Sequence, residues 1–256
     1  MAYQNTNLMP THSDGTVLHL GVKAGQVANR VVSVGSISRA KLLAQLLDDA
    51  KFDTFESPRG FTTFTGKKKE VQVSIIATGM GVPNMDFVVR ETRAVVEGPM
   101  IIIRFGTCGT VREEVTPGSV VTVTECHGKL GGLRTEPAVA ASSDRDRLGV
   151  FDGLNATACS FYSSQGRLDS AFDDRNEHLV EDLTKTQPDL HTVEMETFHL
   201  LDLAQRSRGS IQATAAVLVV ANRITGQVAG SDVLKTLESY WGLVILDTLA
   251  DAPLQA

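Results

Sequence analysis

The sequence predicts an α/β fold, with one domain over residues 1–256 and a mixed, mostly parallel central sheet flanked by helices. Five short apolar runs rich in β-branched residues recur along the chain, and apolar stripes at helical spacing lie between several of them. Strands that alternate with helices are typical of this fold class. With 256 residues, 42% hydrophobic and 21% charged, the chain is long enough and apolar enough to form one sizeable core.

The five apolar runs predict buried strands. They are continuously apolar instead of alternating, which is the pattern expected of a sheet covered on both faces. In chain order the predicted strands are residues 31–34, 71–77, 100–103, 120–123 and 214–220.

Helices are predicted where apolar residues recur three or four positions apart. The first covers residues 40–47 and places four leucines on one face, and a weaker candidate covers residues 84–96. The two later helices carry the stripes Met195, Phe198, Leu201 and Ala204, and Val233, Leu234, Leu237, Trp241 and Val244.

Charge and hydropathy exclude two classes of partner. The net charge is −6, and no basic run is longer than residues 67–69, so the basic footprint of a nucleic-acid binder is missing. The apolar runs fall far short of the roughly 20 residues that a membrane span requires. Residues 1–13 are polar and lack a signal-peptide pattern. We therefore expect a cytoplasmic protein with neither nucleic acid nor membrane as a partner.

Cysteine and histidine usage gives no support to a disulfide framework or a metal centre. Cys108, Cys126 and Cys159 are odd in number and have no C-x-x-C spacing, which favours a reducing compartment. The six histidines are scattered without the spacing of metal ligands.

The end of the first predicted strand has the features of an anion site. Ligands in α/β folds gather at the carboxyl ends of strands. Here Gly35 is followed by Ser36 in helix-capping position and by Arg39 in the first helical turn. Backbone N–H groups and a guanidinium suit a phosphate. A capped helix start without a ligand is the alternative interpretation.

A second arginine, Arg104, ends the third predicted strand and precedes a turn of small residues that includes Thr107. Two arginines at adjacent strand ends can clamp one dianion, although Arg104 alone also fits a surface charge. The loop at residues 78–81 superficially matches a dinucleotide fingerprint, but Asn84 stands where the third glycine belongs. We interpret this loop as a tight turn.

Two further segments carry recognition chemistry. Glu194, Met195 and Glu196 are predicted at a helix start, where one carboxylate turns inward to bind paired hydroxyls and the other braces it; two solvated first-turn acids are the alternative. The loop at residues 161–167 combines an aromatic ring, an amide and a guanidinium, which together can bind a planar ring with imide edges. A polar surface loop is the alternative there.

In this order the segments resemble the nucleoside phosphorylase superfamily, and within it the uridine phosphorylase branch. No single motif is specific, but eight agree in register over most of the chain. They are V-L-H-L-G at 17–21, the glycine turn through Arg39, R-G-F-T-T at 59–63, T-G-M-G at 78–81, R-F-G-T-C-G at 104–109, F-Y-S-S-Q-G-R at 161–167, E-M-E at 194–196 and N-R at 222–223.

The resemblance implies a three-layer, phosphorylase-like fold and a pentosyltransferase. The implied reaction is reversible phosphorolysis of uridine to uracil and ribose 1-phosphate in pyrimidine salvage, with deoxyuridine and thymidine as further candidate substrates. Inorganic phosphate is then the co-substrate, and no organic cofactor is expected. The active unit is expected to be a homodimer, or a higher oligomer built from it, with shared active sites.

The same resemblance assigns roles to individual residues. The phosphate-binding set is Gly35, Arg39, Arg104 and Thr107, with Arg59 reaching in from a neighbouring subunit. The ribose-binding set is Thr107, Met195 and Glu196, with His19 from the neighbour. The uracil-binding set is Phe161, Gln165, Arg167 and Arg223. Of these, Arg104, Gln165, Arg167 and Glu196 are the expected catalytic residues.

Departures from the family pattern bear on specificity and on a metal. Purine-specific relatives carry an aspartate after the last predicted strand, where this chain has residues 221–223 without a carboxylate, and this favours a pyrimidine base. The family also has aspartate at Ser36 and, at Gly60, a glutamate that binds an interface potassium ion; a structural cation is therefore left open. The chain looks shorter than the family near residues 140–152.

Three alternative functions remain open at this stage. A purine nucleoside phosphorylase or a hydrolytic nucleosidase of the same fold would share most of these segments. A non-catalytic nucleoside-binding module would share the pocket but not the turnover.

Overall fold

The computed structural model describes residues 7–128, 131–134 and 149–254. The shortening predicted near residues 140–152 lies mostly outside these residues. The strands are β1 Arg30–Val34, β2 Phe52–Glu56, β3 Thr62–Lys68, β4 Val71–Ala77, β5 Met100–Thr110, β6 Val120–Gly128, β7 Gly131–Arg134, β8 Val150–Thr157, β9 Leu190–Glu194 and β10 Ile211–Asn222. The helices are α1 Ile37–Ala44, α2 Val82–Val95, α3 Leu179–Thr186, α4 Thr197–Arg206 and α5 Ser231–Asp251.

The described strands form one mixed sheet, as predicted. Its parallel centre runs β4, β1, β5 and β10, with Val31 opposite both Ser74 and Ile102. Antiparallel pairings add β3 and β2 at one side, and β6 pairs antiparallel with β10. Parallel and antiparallel pairings are equally numerous among the described strands.

One part of the sheet closes on itself. β5 pairs with β10 along its whole length and with β9 at Gly109 and Thr110. Because β10 continues through β6 and β8 to β9, these five strands form a closed ring. β5 extends seven residues beyond the predicted end at Ile103, since Arg104 and small residues interrupt its apolar run while the backbone stays paired.

Helices cover both faces of the sheet, which confirms the three-layer arrangement. On one face α1 and α5 pack over the central strands, with Leu43 and Trp241 in the same buried cluster as Ile103. On the other face α2 and α4 pack together, with Met85 and Leu200 in a second cluster. Burial of these apolar side chains is the main stabilising contribution to such a core.

Two helices differ in detail from their predicted patterns. α1 begins at Ile37 because the Ser36 hydroxyl caps it by accepting a 3.2 Å bond from the Arg39 N–H. It ends at Ala44, three residues before the predicted limit. In α5, Val233 of the predicted stripe is exposed, and the buried stripe continues instead beyond Trp241 to Leu249.

No helix in the described part of the chain combines the length and apolar character needed to cross a bilayer. Within the same residues, no group of three or more His, Cys, Asp or Glu side chains could hold a metal ion.

Candidate active site

A cavity of about 160 Å³ opens at the carboxyl ends of the central strands. β1, β4, β5 and β9 all end at this edge, and residues of the 161–167 loop also line the cavity. Eight of the residues predicted for the site line this one cavity: Gly35, Arg104, Thr107, Phe161, Gln165, Arg167, Met195 and Glu196.

Arg104 is a buried cation held between two carboxylates. Its Nη2 contacts Glu194 Oε2 at 2.9 Å and also binds Glu196, while its Nε donates to Glu194 at 3.1 Å. Gly106 makes room for this guanidinium, because a Cβ there would lie 2.7 Å from Arg104 Cζ. The interpretation of Arg104 as a surface charge is excluded, since the residue is 3% exposed.

One nitrogen of Arg104 is left without a partner. Nη1 is buried and has no hydrogen-bond acceptor among the described residues. A buried donor without a partner is costly, by about 1–3 kcal/mol. A bound anion would relieve this cost, so the arrangement suits an oxyanion ligand.

Glu194 is the carboxylate that holds the surrounding polar side chains of the site in place. It is the last residue of β9 and not part of the helix, which corrects the predicted position of the E-M-E segment. Its carboxylate accepts bonds from Asn155 Nδ2 at 2.8 Å and Thr157 Oγ1 at 2.6 Å, besides Arg104. Although burial opposes it, Arg104 and these hydrogen bonds lower the pKa of Glu194, so this carboxyl stays charged.

Glu196 is the inward-facing carboxylate of the pair. It is 4% exposed and binds Arg104 on one oxygen and the Gly81 N–H on the other. Burial and the neighbouring charge of Glu194 raise the pKa of Glu196, against the effect of Arg104. The interpretation of both acids as solvated first-turn residues is therefore wrong.

The loop at residues 78–81 does more than turn the chain. Gly79 and Gly81 have φ angles of +73° and +92°, which favour glycine. Gly79 and Met80 line the cavity, and Gly81 supplies the N–H that holds Glu196. The prediction of a tight turn is met, but none of these four residues was predicted to belong to the site.

Arg39 lies behind the cavity. Its side chain is buried and pairs with Glu238 of α5, and its Nη1 donates to the Phe105 carbonyl oxygen at 3.3 Å. Burial, and the nearby charge of Arg104, lower the pKa of Arg39. Arg39 does not itself line the cavity, and its place in an anion clamp with Arg104 stays a prediction.

The predicted uracil residues contact one another. Arg167 Nη1 donates to Gln165 Oε1 at 2.9 Å, and its Cζ lies 3.7 Å from the centre of the Phe161 ring. Gln165 is buried, whereas Phe161 is 43% exposed. Arg223 lies behind them and donates to the Gly166 carbonyl oxygen at 3.2 Å. Phe161, Gln165 and Arg167 thus line the cavity together, and the Phe161 ring is also open to solvent.

His19 and Arg59 lie outside this cavity. His19 contacts Glu91 through Nδ1 at 2.5 Å and stacks on Phe87 with 3.8 Å between ring centres. Arg59 is exposed, next to Gly60, whose φ of +87° marks an exposed turn. Both residues are predicted to serve a neighbouring subunit's site, and these roles stay predictions.

The segment at residues 221–223, where purine-specific relatives are expected to carry an acid, contains a structural asparagine. Asn222 is 2% exposed and its Nδ2 donates to the carbonyl oxygens of Arg112 and Val115 at 2.9 and 3.0 Å. Its Oδ1 accepts the N–H groups of Ile224 and Thr225, both at 2.9 Å. The side chain therefore closes a turn and has no proton to give a leaving group.

Several residues that line the cavity were not among the binding and catalytic residues assigned from the resemblance. They are Gly79, Met80, Cys108, Gly109, Val193, Glu194 and Val220. Only Glu194 carried a usable signal, its place in the E-M-E segment. Cys108 is buried, and burial together with Glu194 raises the pKa of its thiol well above the ordinary range, so it offers no nucleophile.

Known proteins are similar to this chain in sequence and in fold. The family model of the phosphorylase superfamily matches residues 29–240. A uridine phosphorylase of Thermococcus kodakarensis is 30% identical over 235 residues, which cover 85% of this chain and 82% of that protein. A DeoD-type purine nucleoside phosphorylase of Caldanaerobacter subterraneus is 29% identical, over 84% of this chain and 92% of that protein.

Solved structures give a stronger match. A structure from a study of two uridine phosphorylases of the oomycete Phytophthora capsici is 65% identical with a TM-score of 0.90, and the match covers 99% of this chain and 100% of that one. A Trypanosoma brucei nucleoside phosphorylase, described as having uridine phosphorylase activity, is 24% identical with a TM-score of 0.83 over 95% of this chain and 100% of that one, and supports the fold alone. The resemblance found in the sequence is confirmed.

Proposed function

This chain belongs to the phosphorylase superfamily, and on that premise we propose that it splits uridine with inorganic phosphate into uracil and ribose 1-phosphate. One observation carries the proposal: a buried arginine with an unpartnered nitrogen and a bonded glutamine–arginine pair line the same cavity. The first suits an anion and the second a ring with imide edges. The 65% identity to a chain from a study of uridine phosphorylases supports the same substrate.

Phosphate is the nucleophile and attacks C1′ of the ribose. Arg104 offers Nη1 to it, with Arg39 behind and the Thr107 side chain and the Gly35 backbone at the cavity wall. These groups hold the phosphate below the sugar, where its negative charge also stabilises the positive charge that develops on the ribose. Arg59 of a neighbouring subunit completes the clamp.

Glu196 binds the ribose hydroxyls. Its carboxylate is held on both oxygens, by Arg104 and by the Gly81 N–H, so its position is fixed before substrate arrives. Glu194 fixes the Glu196 backbone by accepting its N–H at 2.9 Å. Met195 lines the same cavity and takes part through its backbone, and His19 of the neighbour binds the 5′-hydroxyl.

The base leaves as a uracil anion that Gln165 and Arg167 stabilise. As the glycosidic bond lengthens, negative charge grows on the ring, and donors aimed at it bind more strongly in the transition state than in the ground state. Phe161 supplies a ring face, and Arg223 supports this end through Gly166. No covalent intermediate on the protein is needed.

A purine substrate is the second candidate, because purine nucleoside phosphorylases are among the relatives. Asn222 argues against it, since its side chain is fully engaged with the backbone and provides no general acid. A hydrolytic nucleosidase would not need the anion clamp at all.

The rest of the proposal concerns assembly and setting. Residues 1–256 form a single domain, and the active unit is a homodimer with shared active sites. The protein acts in the cytoplasm. Inorganic phosphate is the co-substrate, and no organic cofactor takes part. Gly60 has no side chain to replace the family's potassium ligand, so no step is assigned to a metal.

The test is loss of uridine absorbance with purified protein, with and without inorganic phosphate and beside inosine. We expect uridine to be cleaved only when phosphate is present, and inosine to be left intact. Inosine cleavage alone would overturn the assigned base, phosphate-independent loss of uridine would indicate a hydrolase, and no cleavage of either would indicate a binding module.

A further inference from the structure

Helix α5 reaches the proposed phosphate site through one side chain. Glu238 projects towards α1, and its Oε1 accepts bonds from Arg39 Nε and Nη2, each at 2.8 Å. The Arg39 side chain is 8% exposed and that of Glu238 is 21% exposed, so this ion pair is largely desolvated. A desolvated pair constrains an arginine much more than a surface pair does.

The contact leaves one edge of the guanidinium available. Glu238 takes the Nε–Nη2 edge, and the Phe105 carbonyl oxygen accepts one hydrogen of Nη1. The guanidinium also lies over the Phe105 ring, with 5.6 Å from Cζ to the ring centre. Because a guanidinium has five N–H donors, two hydrogens at the terminal edge remain for another acceptor.

Charge gives a second reason for the contact. Arg39 and Arg104 are both buried, and their like charges repel. Glu194 and Glu196 offset the charge of Arg104 from one side. Glu238 is the carboxylate that offsets Arg39 from the other side, so the two guanidiniums can stay adjacent before an anion arrives.

We propose that Glu238 is a positioning residue that holds Arg39 in place for the phosphate co-substrate. This inference rests on the proposed function, in which Arg39 is a phosphate ligand. Without Glu238, repulsion from Arg104 would turn Arg39 away, towards the groove of about 780 Å³ between α1 and α5 that Ser38, Lys41, Lys235 and Glu238 help to line. Phosphate would then bind to a site in which one of its two arginines is displaced.

The first test measures phosphate binding to the intact protein by calorimetry, with inorganic phosphate and no nucleoside. We expect Glu238→Ala to weaken phosphate binding about tenfold. Glu238→Gln keeps an acceptor for Nε without the charge and should give a smaller loss. Lys235→Ala is the matched control, because Lys235 lies three residues earlier on α5 and lines the same groove; it should bind phosphate like the wild type.

Kinetics separate positioning from general structural damage. Glu238→Ala should raise KM for phosphate about tenfold while KM for uridine stays within about twofold. In an Arg39→Ala background, adding Glu238→Ala should cause no further loss of phosphate affinity, since the residue acts only through Arg39. The tryptophan Trp241, three residues after Glu238, should keep its buried emission in each variant.

Each contrary result has a distinct meaning. Unchanged or tighter phosphate binding by Glu238→Ala, or a parallel rise of both KM values, would overturn the positioning role while leaving the phosphorolysis proposal intact. A wild-type protein that binds no phosphate would overturn the assigned phosphate site and this inference with it.

Discussion

At the scale of single residues, Arg167 connects the parts of the proposed base site. It donates to the Gln165 side chain and to the Phe161 carbonyl oxygen, and it lies over the Phe161 ring. We expect Arg167→Ala to lower kcat for uridine about 10²- to 10³-fold, because a donor to the developing uracil anion is lost. Steady-state kinetics measure the loss, and circular dichroism checks that the fold is kept.

A matched control for Arg167 is Arg206→Ala. Arg206 is a surface arginine of α4 paired with Asp202 at 2.9 Å, far in sequence from the base loop. The turnover of uridine by Arg206→Ala should equal that of the wild type. Unchanged turnover of Arg167→Ala would instead remove the base site from the 161–167 loop.

The ionisation of Glu196 predicts an acid limb in the pH profile. Burial and the charge of Glu194 raise the pKa of Glu196, so it takes up a proton at a higher pH than an ordinary glutamate. Protonation removes an acceptor for the ribose hydroxyls, and kcat/KM for uridine at saturating phosphate should fall as the pH drops through this raised pKa. Glu194, whose pKa is lowered, stays charged over the same range.

The variant Glu196→Gln identifies the group responsible for this limb. Its residual activity should be low and independent of pH over the range in which the wild type declines. An acid limb of the same position in Glu196→Gln would assign the titration to another group.

Substitution of Gly106 tests whether Glu194 and Glu196 must hold Arg104 in one position. A Cβ at this position would lie 2.7 Å from both Cζ and Nη2 of Arg104, and that guanidinium is fixed by Glu194 and Glu196. Gly106→Ala should therefore displace Arg104 and lower kcat/KM for phosphate about 10-fold or more. Gly109→Ala is the comparison, because its Cβ would meet Arg223 Cγ at an easier 3.3 Å. Equal phosphate kinetics in Gly106→Ala and wild type would show that Arg104 does not need to be held in one position.

At the scale of elements, the end of β10 is built on Asn222. Its amide donates to carbonyl oxygens of the 110–115 segment and accepts N–H groups of the following turn. Asn222→Asp would set a carboxylate against those carbonyl oxygens. We expect a loss of about 1–3 kcal/mol in the free energy of unfolding, measured by denaturant titration, and no gain of inosine cleavage. Inosine cleavage by this variant would show that an acid here reaches the base after all.

The elements found in the sequence are those whose side chains are buried on a regular period. β1 and β4 match their predicted runs within one residue, and α2, α4 and α5 lie where their stripes predicted. The missed strands lack a continuous apolar run: β2 has no buried residue, and β3, β8 and β9 place polar residues such as Thr63, Asn155 and Thr192 at buried positions. α3 has no buried residue either.

The candidate site was predictable where its chemistry is unusual and local. Arginine, glutamate and glutamine beside strand ends stand out in a sequence, and four predicted residues of these types, Arg104, Gln165, Arg167 and Glu196, line one cavity. Gly81, Asn155 and Thr157 could not be found in this way, because their contribution is a backbone or side-chain bond to a glutamate distant in sequence. Such contacts depend on the tertiary fold alone.

At the scale of the whole molecule, Arg59 and His19 decide whether each active site needs a neighbouring subunit. Arg59 is exposed, His19 is bound to Glu91, and neither residue lines the cavity. If each site borrows these residues from a neighbour, a dimer has two sites, each built from Arg104 of one subunit and Arg59 of the other. An isolated subunit would then lack part of its phosphate clamp.

Mixed dimers test this sharing. Arg59→Ala and Arg104→Ala should each be nearly inactive alone, but a mixed dimer restores one intact site, made by Arg104 of the first variant and Arg59 of the second. Random mixing after reversible dissociation makes half of the dimers mixed, so about a quarter of wild-type activity should return. As a control, Arg104→Ala mixed with Glu196→Gln should recover nothing, because both residues belong to the same subunit's site and each subunit then carries one defect. Absence of recovery in the first mixture, with mixed dimers shown to form by differential tagging, would place Arg59 outside the neighbour's site and leave each subunit to bind phosphate with its own residues.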